Sequence, residues 1–397
     1  MTQSMHPQAA LVRRQCGLSL VELMISITIG LLLLTGLVSY FVQASTNQRE
    51  TQRAAQQIEN GRYAIETLTQ SLQLTGFYGS WSAYSTPSSL PDPCDVASTT
   101  TIKAAMGLPI QGYQAGSLTA KPTVSTNCAT YLSSANLAAG SDVLVVRFLD
   151  TTPVSIGGST SSSAVYVQTN PADALVQVGG GTLGCTTDAL GAATTVTRKC
   201  SSPTTVDVCP TQCAAGTSPG GEVRQLITHI YFVAPCSIPS SGTTCTSTSD
   251  GGTPIPTLKR LELTATSFNV VSIAEGVEYM KLEFGVDTTR TDTTTGASLT
   301  TTNANTGKVG DGVPDNYTLT PALADYANTV SVRVDLLVRN AEKSTGYTDN
   351  KTYNLGVDPT VLTSPAWTIT APGDAYRRHV YAAEVRLVNL AGRKENP

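Results

Sequence analysis

Glu22 has the least ordinary setting of any ionisable residue in this chain. It is the one charged side chain in the 25 residues from Leu18 to Val42, a run preceded by the basic pair Arg13 and Arg14 and by Cys16-Gly17. A carboxylate near the end of such an apolar stretch costs energy in lipid, less at the interface, and so calls for a partner or a task. Nine cysteines are the second chemical set: Cys16, Cys94, Cys128, Cys185, Cys200, Cys209, Cys213, Cys236 and Cys245. A zinc reading would start at the turn from Cys209 to Cys213, but that spacing is not repeated and only His229 and His379 lie beyond the N-terminal segment. A third set surrounds the Gly-Asp-Gly-Val-Pro-Asp stretch, where Asp311 and Asp315, with Asp287 and Asn305, offer oxygen ligands to a hard cation such as calcium. Gly307 and Val309 interrupt the every-second-residue series that a calcium loop needs, so a turn with solvated aspartates is the better reading and no metal is expected. No Walker A, HExxH or CxxC pattern is present, so neither catalysis nor a cofactor is expected.

The elements that must position these residues follow from hydrophobic spacing. As a helix, Leu18 to Val42 is roughly 37 Å long, enough to cross a hydrocarbon core of about 30 Å with some tilt. A secretory signal cut after Val42-Gln43-Ala44 is the competing reading, but the run is longer than a usual signal core and a glutamate at its start is atypical. Beyond Val42 a helical stripe continues through Ala44, Thr51, Ala54, Ala55, Ile58, Ile65, Leu68 and Leu72, which carries the helix to about Leu74 and a length of roughly 80 Å from Ser19. Gly30, Gly36 and Gly61 mark either bends, close helix contacts or plain tolerance. Gly76, Gly79, Pro87, Pro91 and Pro93 then end the helix.

With 14% charged and 6% aromatic residues the remainder is no charged disordered tail and should fold. Strand-like runs fall at 143–149, 164–168, 223–234, 258–265, 277–287, 330–339 and 380–390. Met280, Leu282, Phe284 and Val286 alternate with Lys281 and Glu283, and Val332, Val334, Leu336 and Val338 with Arg333, Asp335 and Arg339. That pattern predicts an antiparallel sheet with one face on a core, the helix, and the other in solvent. The fold class is therefore α+β, with long Ser/Thr/Gly/Pro loops between strands at 82–101, 153–163, 179–221, 237–256 and 288–310.

The order Gly17, Leu18, Ser19, Leu20, Val21, Glu22, Leu23 resembles the leader junction of the type IV pilin family. The resemblance implies cleavage after Gly17 by a prepilin peptidase on the cytoplasmic side and methylation of the new amine of Leu18. It also implies that Glu22 pairs with that amine, on a neighbouring subunit, during docking into a fibre. Segments 226–233, 255–263, 275–287, 310–317, 330–340 and 377–389 are similar to the strand series of PilW-type minor pilins, although the insertion 288–310 departs from that pattern. The implied fold is pilin-like, a long N-terminal helix packed on a β-sheet head. The implied organisation is a cleaved leader over 1–17, a transmembrane half of the helix over 18–42, an amphipathic spine half over 43–76 and a β-rich head over 77–397. The implied partners are the prepilin peptidase, other minor and major pilins, the inner-membrane assembly platform and the membrane itself. The implied task is assembly or priming of a type IV pilus, and through it adhesion, twitching motility or DNA uptake. A pseudopilin of a type II secretion system and a helix-anchored surface adhesin share the leader and helix and are the alternatives.

Basic residues before the apolar run keep that end cytoplasmic and place the head outside the inner membrane, from where assembly would carry it to the pilus and cell surface. Loss of the leader removes Cys16 and leaves eight cysteines, an even number for an oxidising compartment. Cys236 with Cys245 would close a hairpin connection and Cys94 with Cys128 is a second near pair. Cys185, Cys200, Cys209 and Cys213 admit three connectivities. The chain's net charge of −4 becomes −6 once Arg13 and Arg14 are gone with a leader that has no acid, which gives no general nucleic-acid surface and no direct nucleic-acid site.

Overall fold

The computed structural model describes residues 19–82, 84–154, 159–169, 174–179, 181–182, 184–186, 197–199, 222–242, 244–291, 298–299, 310–357 and 365–395. They form two compact units that divide between Ala54 and Ala55. The helix α1, Leu20–Leu74, contributes to both. Over residues 20–42, within the first unit, it is apolar on every side, with Leu20, Leu31, Leu34, Leu37, Phe41 and their neighbours all exposed. A helix with no polar face and no cover has the length and composition to span a bilayer.

The second unit is built on two antiparallel sheets. Its strands are β1 (Ile110–Tyr113), β2 (Val143–Leu149), β3 (Val165–Thr169), β4 (Ala174–Val178), β5 (Val223–Ala234), β6 (Thr257–Leu263), β7 (Phe268–Glu275), β8 (Val277–Val286), β9 (Asn316–Thr318), β10 (Thr329–Arg339), β11 (Thr352–Leu355), β12 (Trp367–Thr370) and β13 (Arg378–Arg386). Three short helices accompany them, α2 (Thr99–Met106), α3 (Leu323–Ala327) and α4 (Val388–Glu395). The larger sheet runs β1-β2-β5-β6-β7, with β3 joined to the start of β5 and β4 to β3. The smaller runs β9-β8-β10-β13. Ala64, Leu68 and Leu72 of α1 enter one core with Leu144 and Tyr231 of the larger sheet and Leu282, Phe284, Val334 and Leu336 of the smaller. The fold is thus α+β, with apolar strand faces closed over a helix.

Four features depart from the sequence expectation. The buried stripe of α1 is Gln57, Gly61, Ala64, Leu68, Ser71 and Leu72, whereas Ile58, expected in the stripe, is half exposed. The stripe turns because Gln57 donates to the carbonyls of Val338 (2.7 Å) and Arg377 (2.9 Å), and because a Cβ on Gly61 would overlap the Tyr381 ring. The polar face of the smaller sheet is also covered. Lys281, Glu283 and Asp335 are buried, because the hairpin β11–β12 lies over them and packs Leu355 and Ile369 on Leu337. The run expected as a strand to Leu390 stops at Arg386, and α4 follows, burying Leu390, Ala391 and Lys394 at helical spacing. Lastly, the segment 82–101, expected as a loop, leads into α2, whose first turn is capped by Ser98 Oγ accepting from Thr101 N at 3.1 Å.

Among the described residues, two disulfides join loops to the larger sheet. Cys94–Cys128 lies among Val143, Val145, Ile230 and Phe232 on the face away from α1. Cys236–Cys245 closes the connection between β5 and β6. In that connection Asp250, at a left-handed φ of 53°, accepts from the amides of Ser237 (2.9 Å), Ile238 (2.6 Å) and Ile255 (2.8 Å). Disulfide and carboxylate together order a Ser/Thr-rich segment with little apolar material of its own. Cys185 falls in a short strand at 184–186, and Cys200, Cys209 and Cys213 lie outside the described residues, as does the pairing of these four.

Candidate functional site

The first turn of α1 holds Glu22, and the carboxylate faces the positive end of the helix dipole. Its side chain is exposed and has no partner among the described residues. The hydroxyls that follow it do not share that isolation. Ser26 Oγ donates to Glu22 O (2.7 Å), Thr28 Oγ1 to Ile25 O (2.8 Å) and Thr35 Oγ1 to Leu31 O (2.7 Å). These side chains spend their donors on the helix's own carbonyls, as suits an environment without water. Glu22 is left as the one charged group on the described part of this span. Gly17 and Leu18, the expected processing residues, lie outside the described residues.

Farther along α1, within the second unit, the face opposite the buried stripe carries a shallow groove between Ala55, Ile58, Glu59, Arg62, Tyr63 and Glu66. Ile58 is 50% and Tyr63 53% exposed, which leaves large apolar groups uncovered on a helix whose other side is fully packed. Spacing alone assigns Ile58 inward, so sequence reasoning does not find this face.

Among the described residues the oxygen-ligand candidates Asp287, Asp311 and Asp315 form no ligand cluster, and Asn305 lies outside the described residues. Asp287 Oδ2 accepts from Gly312 N at 2.7 Å and its Oδ1 from Asp311 N at 3.3 Å, while Lys394 Nζ stands 3.8 Å from Oδ2. Gly310, at φ 113°, has no room for a Cβ beside that carboxylate. Asp315 Oδ2 instead accepts from the amides of Thr288 (2.7 Å) and Thr289 (2.8 Å), and Asp311 Oδ1 from Val313 N (3.1 Å). The three aspartates pin the turn after β8 to backbone amides. His229 lies between the rings of Phe148 and Tyr231, and burial, helped by Arg260, pushes it down to about 3, so it stays neutral. His379 stacks edge-on against Tyr381 at the sheet margin.

Alternation along β8 puts Glu283 in solvent, yet only 3% of it is exposed, and its carboxylate accepts from Val357 N while Asp335 beside it takes the amide of Gly356. Burial pushes Glu283 up to about 7; Val357 N and Arg333 oppose the rise, and Asp335 and Glu384 add to it. Between its ordinary value of 4.5 and about 7 the folded chain holds a proton that the unfolded chain has released. This contribution to stability is therefore full below 4.5 and is lost as pH rises towards 7. Glu283→Gln should flatten that slope and gain about 1–3 kcal/mol at pH 8, since each unit is worth about 1.4 kcal/mol. Denaturant titrations of both chains at pH 5 and pH 8 measure it; parallel pH profiles would place the titration elsewhere.

Two family models match this chain. Residues 245–389 match type IV pilus-assembly protein W, and residues 12–38 match the prokaryotic N-terminal methylation motif. The first match begins at Cys245 and takes in β6 to β13 and the start of α4; the second covers the Gly17 junction and most of the apolar run. No curated protein and no solved structure matches the chain.

Proposed function

From the premise that this chain is a type IV pilin-family protein of the PilW type, given by those two matches, we propose that it is a non-enzymatic minor pilin that helps to prime or join a type IV pilus. A prepilin peptidase cuts after Gly17 and the new amine of Leu18 is methylated. Before assembly the apolar part of α1 holds the chain in the inner membrane with the head on the periplasmic side. After extraction the subunit stands in the pilus, at the cell surface, in contact with other minor and major pilins and with the assembly platform. Adhesion, twitching motility and DNA uptake are the processes such a fibre serves.

The observation that carries this reading is the exposed carboxylate of Glu22 at the start of a helix whose first part, to Val42, is apolar on all sides. At the cytoplasmic interface water lowers its cost. In an apolar fibre core it needs an opposite charge, since a buried unpaired ion is penalised by several kcal/mol. The amine of Leu18 on a neighbouring subunit supplies one and fixes the register of insertion. Glu22→Gln should therefore leave export, leader removal and head folding intact while sharply reducing the amount of this chain in sheared pili at matched expression. Equal incorporation of the variant would rule out the docking role. Recovery of a mature N-terminus at Ser45 instead of Leu18 would reject the prepilin reading itself.

A further inference from the structure

Lys281 of β8 and Asp142, the residue before β2, meet with only 1% of each side chain exposed, and Nζ is 3.0 Å from Oδ1. A buried ion pair of this kind contributes little net stability, because desolvation offsets the attraction. The backbone holds the two groups in place from both sides. Asp142 N donates to Met280 O at 2.9 Å and Leu282 N donates to Asp142 Oδ2 at 3.0 Å, so the aspartate is fastened to the residues on either side of Lys281. Ala115 N donates to Oδ1 at 3.0 Å. The indole of Trp367 closes the site, with Nζ 3.7 Å from its ring centroid.

We propose that Lys281 and Asp142 condense into an intramolecular isopeptide bond that ties the smaller sheet to the larger one. Nζ attacks Cγ, a new N–C bond forms, and the bond from Cγ to one carboxyl oxygen breaks. That oxygen leaves as water, taking the acid's proton and one proton from the amine. No oxidant or co-reactant is consumed. The reaction needs a neutral amine and a neutral acid, and burial pushes Lys281 down and Asp142 up towards those forms, each opposed by the charge of the other. Leu282 N and Ala115 N are placed to hold the oxygens as negative charge gathers there. A nucleophile held in hydrogen-bond contact with the carboxyl it attacks needs no search for it, and the indole lid keeps water from reversing the bond. In the product, the remaining N–H keeps Ala115 O, now 3.4 Å from Nζ, as its acceptor.

Intact mass spectrometry of the purified full chain, reduced and alkylated, tests this. The expected mass is one water below that calculated for the alkylated chain with its observed N-terminus, with trypsin failing to cut after Lys281 and a branched peptide joining the segments of Lys281 and Asp142. Lys281→Met and Asp142→Ala should each have the full mass of their own sequences. That readout is a covalent one and does not require either variant to fold. A parent chain at full mass that is cleaved after Lys281 would overturn the proposal and leave an ordinary ion pair. A missing water that maps to any other residues would overturn it equally.

Discussion

Lys281→Met should lower the stability of the head by about 3–5 kcal/mol, because it removes the link to Lys281 and leaves Asp142 a buried carboxyl group with no partner of opposite charge. The size of the loss follows from burial, since neither side chain has more than 1% of its surface exposed. Surface pairs such as Arg53 with Glu50 would lose under about 1 kcal/mol on the same treatment. Asp142 cannot simply be replaced by leucine to compensate, because it also accepts from Ala115 N and Leu282 N. Each amide left without an acceptor would cost about 1–3 kcal/mol. An asparagine side chain carries no charge and keeps one of the two acceptors, so the double variant Lys281→Met with Asp142→Asn should recover part of the loss, with one amide still unsatisfied. Denaturation followed by tryptophan fluorescence reads both chains, as the Trp367 indole lies against the side-chain nitrogen of Lys281. A single variant within about 1 kcal/mol of the parent would mean that water reaches the pair in solution.

The second large effect is steric. Gly61→Val should cost the head about 2–4 kcal/mol, although a glycine in a helix interior is itself about 1 kcal/mol worse than alanine. Even the Cβ would stand 2.8 Å from Cδ2 of Tyr381 and nearer still to Cε2 and Cζ, and valine adds two methyl groups beyond it. Tyr381 belongs to β13, which is held along its length to β10, so the ring cannot retreat without moving the strand. Gly61→Ala combined with Tyr381→Ala removes the clash and keeps the propensity gain. Its midpoint in denaturant should lie above that of Gly61→Ala alone. If Gly61→Val unfolds at the parent's midpoint, the close contact between helix and strand is not a constraint on the fold.

Strands carried by a long run of β-favouring, largely apolar residues were legible from the sequence. Val143–Leu149 and Val223–Ala234 begin and end where the residue pattern puts them. What could not be read was what covers each face. Lys281, Glu283 and Asp335 have the types of a solvated face, and only tertiary structure lays the hairpin of Thr352–Leu355 and Trp367–Thr370 over them. Those strands have four residues each, too few for a period to declare itself. The turned stripe of α1 was missed for a related reason. Gln57 looks polar and outward, yet its amide is buried on two strand carbonyls, a partnership with no local signature. Glu22 was legible because its signal is local, a single charge in an apolar run. The uncovered face of Ile58 and Tyr63 was not, because exposure is a property of the assembled head.

Helix α4 fastens helix α1 from the far side of the chain. Asn389 donates to the carbonyls of Gln73 and Thr75 at the end of α1, Arg393 reaches Gly76 O, and Leu390 joins the core that holds Leu68 and Leu72. Synthesis proceeds from the N-terminus, so the apolar stripe of α1 emerges early and this part of its cover follows 316 residues later. Contacts of such long sequence separation form slowly. For the whole of that interval the stripe is open to wrong partners, and the timing of delivery governs the yield of folded heads as much as their final stability does. Truncation just before Val388 would make that transient state permanent, which gives α4 the role of a completion signal for the fold.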